Sequence, residues 1–142
     1  MIDREATAKK YVEKSADLIK EARDNLALNN LRAVHSRAWY SVLHIVCAGT
    51  YITLDEQPPQ GRPNWRSDSI PKLFASIMRR ANLYQQYSHL VPLIAGLRLY
   101  RVSVDYHSPV ELEYTEQTAR EAIATAEHVR EIVLKVMDQV NG

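Results

Sequence analysis

Apolar residues recur at three-to-four-residue spacing through most of this chain, the pattern of amphipathic helices. From about Asp3 to Ala27 the stripe is Ala8, Tyr11, Val12, Leu18, Ile19, Ala22 and Leu26, with Asp3 placed to cap the helix. Asn29-Asn30 interrupts it, because asparagine tolerates the left-handed conformation in which helices end. A second helix is predicted from about Leu31 to Tyr51. Val34, Ala38, Trp39, Val42, Leu43, Ile45 and Val46 make it apolar around most of its circumference. Such a helix is buried on several sides, either at a bundle centre or in an oligomer interface.

The periodicity stops between Leu54 and Asp68. Pro58, Pro59, Gly61 and Pro63 exclude regular structure there, and a loop of this length in a compact domain is usually functional or disordered. Trp65 is expected to pin the segment onto the bundle; flanked by Arg62 and Arg66, it also suits stacking on a base. A third helix starts at Ser69, with Pro71 in its first turn and Ile70, Leu73, Phe74, Ile77 and Met78 inward. A fourth runs from about Ser88 to His107. Its stripe is Leu90, Leu93, Leu97, Tyr100 and Val104, and Pro109 sets its end. Thr115 caps a fifth, with Ala119, Ala122, Ile123, Ala126, Val129, Val133, Val136 and Val140 as its stripe. No segment alternates with the period of a strand. The predicted fold class is all-α: an up-and-down antiparallel bundle of four to five helices, one domain over residues 1–142.

Composition narrows the setting. With 46% hydrophobic and 25% charged residues, the chain is globular rather than disordered. The single cysteine, Cys47, lies in an apolar run and has no partner for an internal disulfide. No Cys/His spacing suggests zinc, so neither a metal nor a cofactor is expected. The first residues lack the apolar core of a signal peptide, and no run approaches the roughly 20 residues of a membrane span. The expectation is a cytoplasmic protein with no membrane contact. Charge is uneven: residues 61–80 carry five bases against Asp68 alone, and residues 111–142 carry seven acids against three bases. The basic run either faces a polyanion or forms a solvated face.

The densest chemistry lies in Leu97–Pro109, where Arg98, Arg101, Asp105 and His107 fall within ten residues. Arginine neutralises a phosphate, and histidine titrates near neutral pH and moves a proton. Together they suffice to cleave a phosphodiester without metal. The same residues also make an ordinary helix end, with Arg101 paired to Asp105 and His107 against the C-terminal dipole. On the second helix Arg37, Tyr40 and His44 share a face. They either line the same cleft or form a buried polar network with Asp105, the acidic partner a buried arginine needs. His35 and His128 are read as core or surface filler, and His89 as exposed.

Ser36-Arg37-Ala38-Trp39-Tyr40-Ser41 on the second helix, taken with Arg101-Val102-Ser103-Val104-Asp105-Tyr106 on the fourth, resembles the HEPN family of helical domains. Many members carry a Ser-Arg-Ala-Tyr-Tyr-Ala-like segment on the second helix and Arg-x-x-Ala-Asp-Tyr on the fourth. The resemblance spans about residues 10–137. It implies an up-and-down bundle that homodimerises around a cleft. Ribonuclease members, including toxins of toxin–antitoxin pairs, carry an arginine followed four to six residues later by a histidine. Arg101 and His107, with five residues between them, fit that spacing. Other members keep the Asp-Tyr form without the histidine and partner small nucleotidyltransferases. This chain has Asp105-Tyr106 as well as His107, and Ser108-Pro109 stands where some toxins place x-Tyr.

Two main functions follow from the resemblance. One is a metal-independent endoribonuclease in which His107 is the general acid/base and Arg101, with Arg98, stabilises the transition state, while Asp105, Tyr106, Arg37 and Tyr40 contribute to binding. The other is a non-catalytic module that partners a nucleotidyltransferase or binds nucleotides. A plain interaction dimer is the third. Helix geometry adds a constraint. Six residues apart, positions 101 and 107 point about 120° from each other with a rise of about 9 Å. Their cooperation needs an unwound helix end or a second subunit.

Overall fold

The computed structural model describes residues 3–106 and 112–141, and every regular element within them is helical. The first helix, α1 (Arg4–Ala27), begins where Asp3 accepts the Ala6 N–H at 3.1 Å. It ends at Asn29, whose φ of 57° is left-handed, while the Asn30 N–H returns to the Asn25 carbonyl at 2.8 Å. Only residues 28–30 separate α1 from α2 (Leu31–Gly49), so the two helices fold back antiparallel. Their contact is fixed by two buried serines. Ser15 Oγ donates to the Ser41 carbonyl and Ser41 Oγ to the Ser15 carbonyl, both at 2.9 Å.

The apolar circumference of α2 is used within the chain. It packs against α1, α3, α5 and α6, and Val34, Ala38, Trp39, Val42, Ile45 and Val46 are all fully buried. The bundle centre accounts for the pattern, which therefore no longer argues for an oligomer interface. A π-helical turn, Thr50–Leu54, continues α2 and stops at Asp55, where φ is 58°. Asp55 is ion-paired to Arg4. The proline-rich segment that follows is irregular, as expected, and Trp65 anchors it. Its ring is buried edge-on against Tyr51, with centroids 5.1 Å apart. The Tyr11 hydroxyl adds a bond to Asn64 at 3.1 Å.

A 3-10 turn (Ser67–Ser69) leads into α3 (Ile70–Arg80), which buries Ile70, Phe74, Ile77 and Met78. A single turn, α4 (Tyr84–Tyr87), precedes α5 (Leu90–Tyr106). On α5 the predicted stripe needs correction. Leu90 and Leu97 are buried, but the third core position is Ile94, and Leu93 is 48% exposed. The helix faces α2 and α3 more than α6, which turns Leu93 outward. Pro109, expected to end this helix, lies outside the described residues, as does His107.

The last helix, α6 (Glu116–Asn141), is capped by Thr115, which accepts the Thr118 N–H at 3.1 Å. Its stripe is buried from Ala119 to Val136, and Val140 is exposed. The architecture is an all-α bundle of four long helices, α3 and the single-turn α4. Among the described residues no helix is long and apolar enough to cross a membrane.

Candidate functional site

The two sequence segments singled out above meet where α2 passes α5. Arg101 Nε and Nη2 both donate to the Tyr40 hydroxyl oxygen, at 3.0 and 2.7 Å. The guanidinium carbon lies 5.4 Å from the Tyr40 ring centroid. Both side chains are half-buried, and the contact holds the guanidinium in place against α2. Five N–H donors on a planar fork suit arginine to this paired hydrogen bonding. Tyr40 adjoins Trp39, which fixes α2 in the core.

Arg98 stands one turn before Arg101 and points elsewhere. Its Nε donates to Ser67 Oγ at 3.2 Å, tying α5 to the turn that closes the proline-rich segment. Arg66, beside Ser67, pairs with Asp68 at 3.0 Å. Through Ser67 the end of the segment that carries Arg66 is held against α5.

Arg37 does not join Arg101. Its side chain is 41% exposed, with Nε 3.9 Å from Glu21 of α1 and Nη1 3.4 Å from Ser36 Oγ. Among the described residues Arg37 joins no buried network, for a geometric reason. Residues three apart on a helix still point about 60° from each other, enough to put Arg37 on the α1 edge of α2 while Tyr40 meets α5. His44 of α2 also faces α1: its Nδ1 donates to the Tyr40 carbonyl at 2.7 Å and its ring lies 5.6 Å from that of Tyr11. Burial pushes the His44 imidazole below its ordinary value, against the opposing pull of that carbonyl. Asp105 and Tyr106 have their backbones in α5, and their side chains lie outside what the structure describes.

No protein-family model, curated protein or solved structure matches the chain. The functional argument accordingly rests on the residues themselves. Among the described residues there is no cluster of three or more His, Cys, Asp or Glu side chains arranged to hold a metal. Cys47 is buried and its thiol is pushed up to about 12 by burial, which makes it an inert core residue.

His35 is more constrained than a filler residue. It is fully buried, stacked on Tyr100 at 4.2 Å with an interplanar angle of 8°, and its Nε2 lies 3.2 Å from Thr118 Oγ1. Tyr114 meets the His35 ring edge-on and donates its hydroxyl proton to the Tyr100 carbonyl at 3.2 Å. This stack joins α2, α5 and the lead-in to α6 one residue away from Arg101. A groove of about 160 Å³ between α5 and α6 is lined by His35, Leu93, Gly96 and Tyr100 among others, but not by Arg98, Arg101 or Tyr40.

Burial lowers the His35 imidazole to about 4, against about 6.5 for an unfolded histidine. As pH falls, the unfolded chain takes up this proton first. The stability linked to His35 is therefore full above about pH 6.5 and lost progressively down to about pH 4, on the order of 3 kcal/mol in total. Urea unfolding at a series of pH values is expected to show a steeper acid loss for the wild type than for His35→Phe. Parallel curves would contradict the burial of a neutral imidazole.

Proposed function

We propose that the chain is a metal-independent endoribonuclease of the HEPN type, acting through Arg101 at the junction of α2 and α5. The observation that carries this reading is the pair of hydrogen bonds from the Arg101 guanidinium to the Tyr40 hydroxyl oxygen. It holds a permanent cation at a half-exposed position where the two motif segments meet. A fixed guanidinium is what a phosphodiester needs as negative charge builds on its equatorial oxygens. Arg98 and Arg66, bordering the same stretch of α5, favour a polyanionic substrate.

In this reading the ribose 2′-hydroxyl attacks the adjacent phosphorus, His107 handles the proton, and the products are a 2′,3′-cyclic phosphate and a 5′-hydroxyl. DNA lacks the nucleophile and is left intact. The angle between positions 101 and 107 on a helix favours a homodimer in which the two copies complete each other's site. The partner, if the protein is a toxin, is a small nucleotidyltransferase acting as antitoxin, and the setting is the cytoplasm. The non-catalytic module is the alternative, favoured by Asp105-Tyr106 and by the absence of a tyrosine two residues after His107.

RNA incubated with the protein is expected to be cut equally with and without chelator, giving cyclic phosphate ends, while sedimentation reports about twice the 16.3 kDa chain mass. Chelator-sensitive cleavage, or linear 3′-phosphate ends from the first turnover, would oppose the chemistry. A monomer at micromolar concentration would oppose the composite site.

A further inference from the structure

We infer that His89 and His128 form a binding site for one late first-row divalent metal ion, with zinc as the expected occupant, where the start of α5 meets α6. The inference stands apart from the ribonuclease reading.

The fold brings the two rings together from distant parts of the chain. His89 stands in the turn immediately before α5, and His128 lies in the middle of α6. Their ring centroids are 6.5 Å apart, with the planes tilted by 49°. The pairing follows from the register of the two helices. His89 meets His128 at one end of the α5–α6 seam and Tyr100 meets Tyr114 at the other, so the helices run antiparallel. Thr125, which lines the groove between them, is one turn before His128 and shares its face of α6. Tyr87, the last residue of α4, packs against the His128 ring at 85° with centroids 6.1 Å apart, which keeps that ring on the α5 side.

The spacing is close to what a shared ion requires. A Zn–N bond of about 2.0–2.1 Å and a nitrogen about 1.1 Å from its ring centre place two ligating imidazoles about 5 Å apart at a tetrahedral angle, and about 6.4 Å apart at a linear one. Closing the observed gap to the tetrahedral value takes a movement of little more than about 1 Å. Both histidines are exposed, and a small side-chain rotation supplies it.

The donor chemistry selects the metal. Imidazole nitrogen suits zinc, nickel and copper, whereas calcium and magnesium take oxygen ligands. Among the described residues neither ring is held in a hydrogen bond or an ion pair, so each has a nitrogen to offer. Two protein ligands leave the remaining positions to water, which makes this an open site rather than a closed structural one. A bound ion ties the turn between α4 and α5 to α6. Arg101 lies more than about 15 Å farther along α5, so the ion takes no part at the junction with Tyr40. No sequence spacing marks the site, because its ligands come from different elements.

The test is a Zn²⁺ titration of the tag-free chain beside His89→Gln and His128→Gln, whose exposed positions leave the fold intact. The expected result is one ion per chain, bound about tenfold or more weaker by either variant, since each keeps one ligand and loses the chelate. Mg²⁺ in excess should not compete, and affinity should fall on acidification as protons take the ring nitrogens. Substoichiometric Cu²⁺, followed by the broadening of backbone amide signals, is expected to act first around His89 and His128. No binding, binding that survives the loss of either histidine, one ion shared by two chains, or broadening centred elsewhere would overturn the inference. None of these outcomes bears on RNA cleavage, which is measured separately with and without chelator.

Discussion

Trp39→Ala is expected to lower the stability of the fold by about 3–5 kcal/mol, the range for removing a large aromatic from a packed core. Trp39 is fully buried at the centre of α2, and α2 is the helix against which α1, α3, α5 and α6 all pack. A cavity there cannot be closed by moving one neighbour without disturbing another. For a chain of this size the loss corresponds to a melting temperature lower by on the order of 10 °C or more. Trp39→Phe, which keeps most of the volume, should cost less. A thermal melt of Trp39→Ala within a few degrees of wild type would contradict the placement of α2 at the bundle centre. The expected ordering also separates this residue from its neighbour: Tyr40→Phe removes only a half-exposed hydroxyl and should leave the fold standing.

Arg101→Lys is expected to impair cleavage strongly, by about 10²-fold or more, the usual cost of losing one oriented charge-stabilising group. Lysine keeps the charge, so a purely long-range electrostatic role would survive the exchange. What it loses is the planar fork that donates twice to Tyr40 while holding the rest of the guanidinium in a fixed plane. Arg98→Lys should be milder, because the single bond from Arg98 Nε to Ser67 can be replaced by an ammonium. Cleavage rates of the two variants at saturating RNA decide the matter. Arg98→Lys falling as far as Arg101→Lys would mean that the basic border of α5, and not the Tyr40 junction, carries the function.

Features fixed by local chemistry were legible in the sequence. Asp3 and Thr115 cap their helices through their own side chains, Asn29 takes the left-handed turn, and the prolines from Pro58 to Pro63 leave Trp65 to anchor an irregular segment. Features fixed by which neighbour a helix meets were not. Leu93 and Ile94 are adjacent apolar residues, and only the splay of α5 away from α6 decides that Ile94 enters the core. Arg37 and Tyr40 share a face by spacing, yet Arg37 reaches α1 and Tyr40 reaches α5. The partner of His35 is Thr118, 83 residues away, and nothing local announces it. The continuation of α2 as a π-helical turn was equally hidden, since Thr50–Leu54 keeps the apolar character of the helix before it.

The candidate site divides along the same line. Arginine, tyrosine and histidine were recognisable as phosphodiester chemistry from their types and order. That Arg101 is gripped by Tyr40, while Arg98 is spent on Ser67, is a matter of side-chain reach across helices.

Single-turnover cleavage of a mixed RNA pool by wild type and His107→Ala, both confirmed to be folded and of the same oligomeric state, tests the ribonuclease reading most directly. The account predicts that wild type cuts the RNA near neutral pH and that His107→Ala is slower by about 10²–10⁴-fold. RNA left intact by the wild type, or cut equally by both proteins, would contradict it and put the non-catalytic binding module in its place.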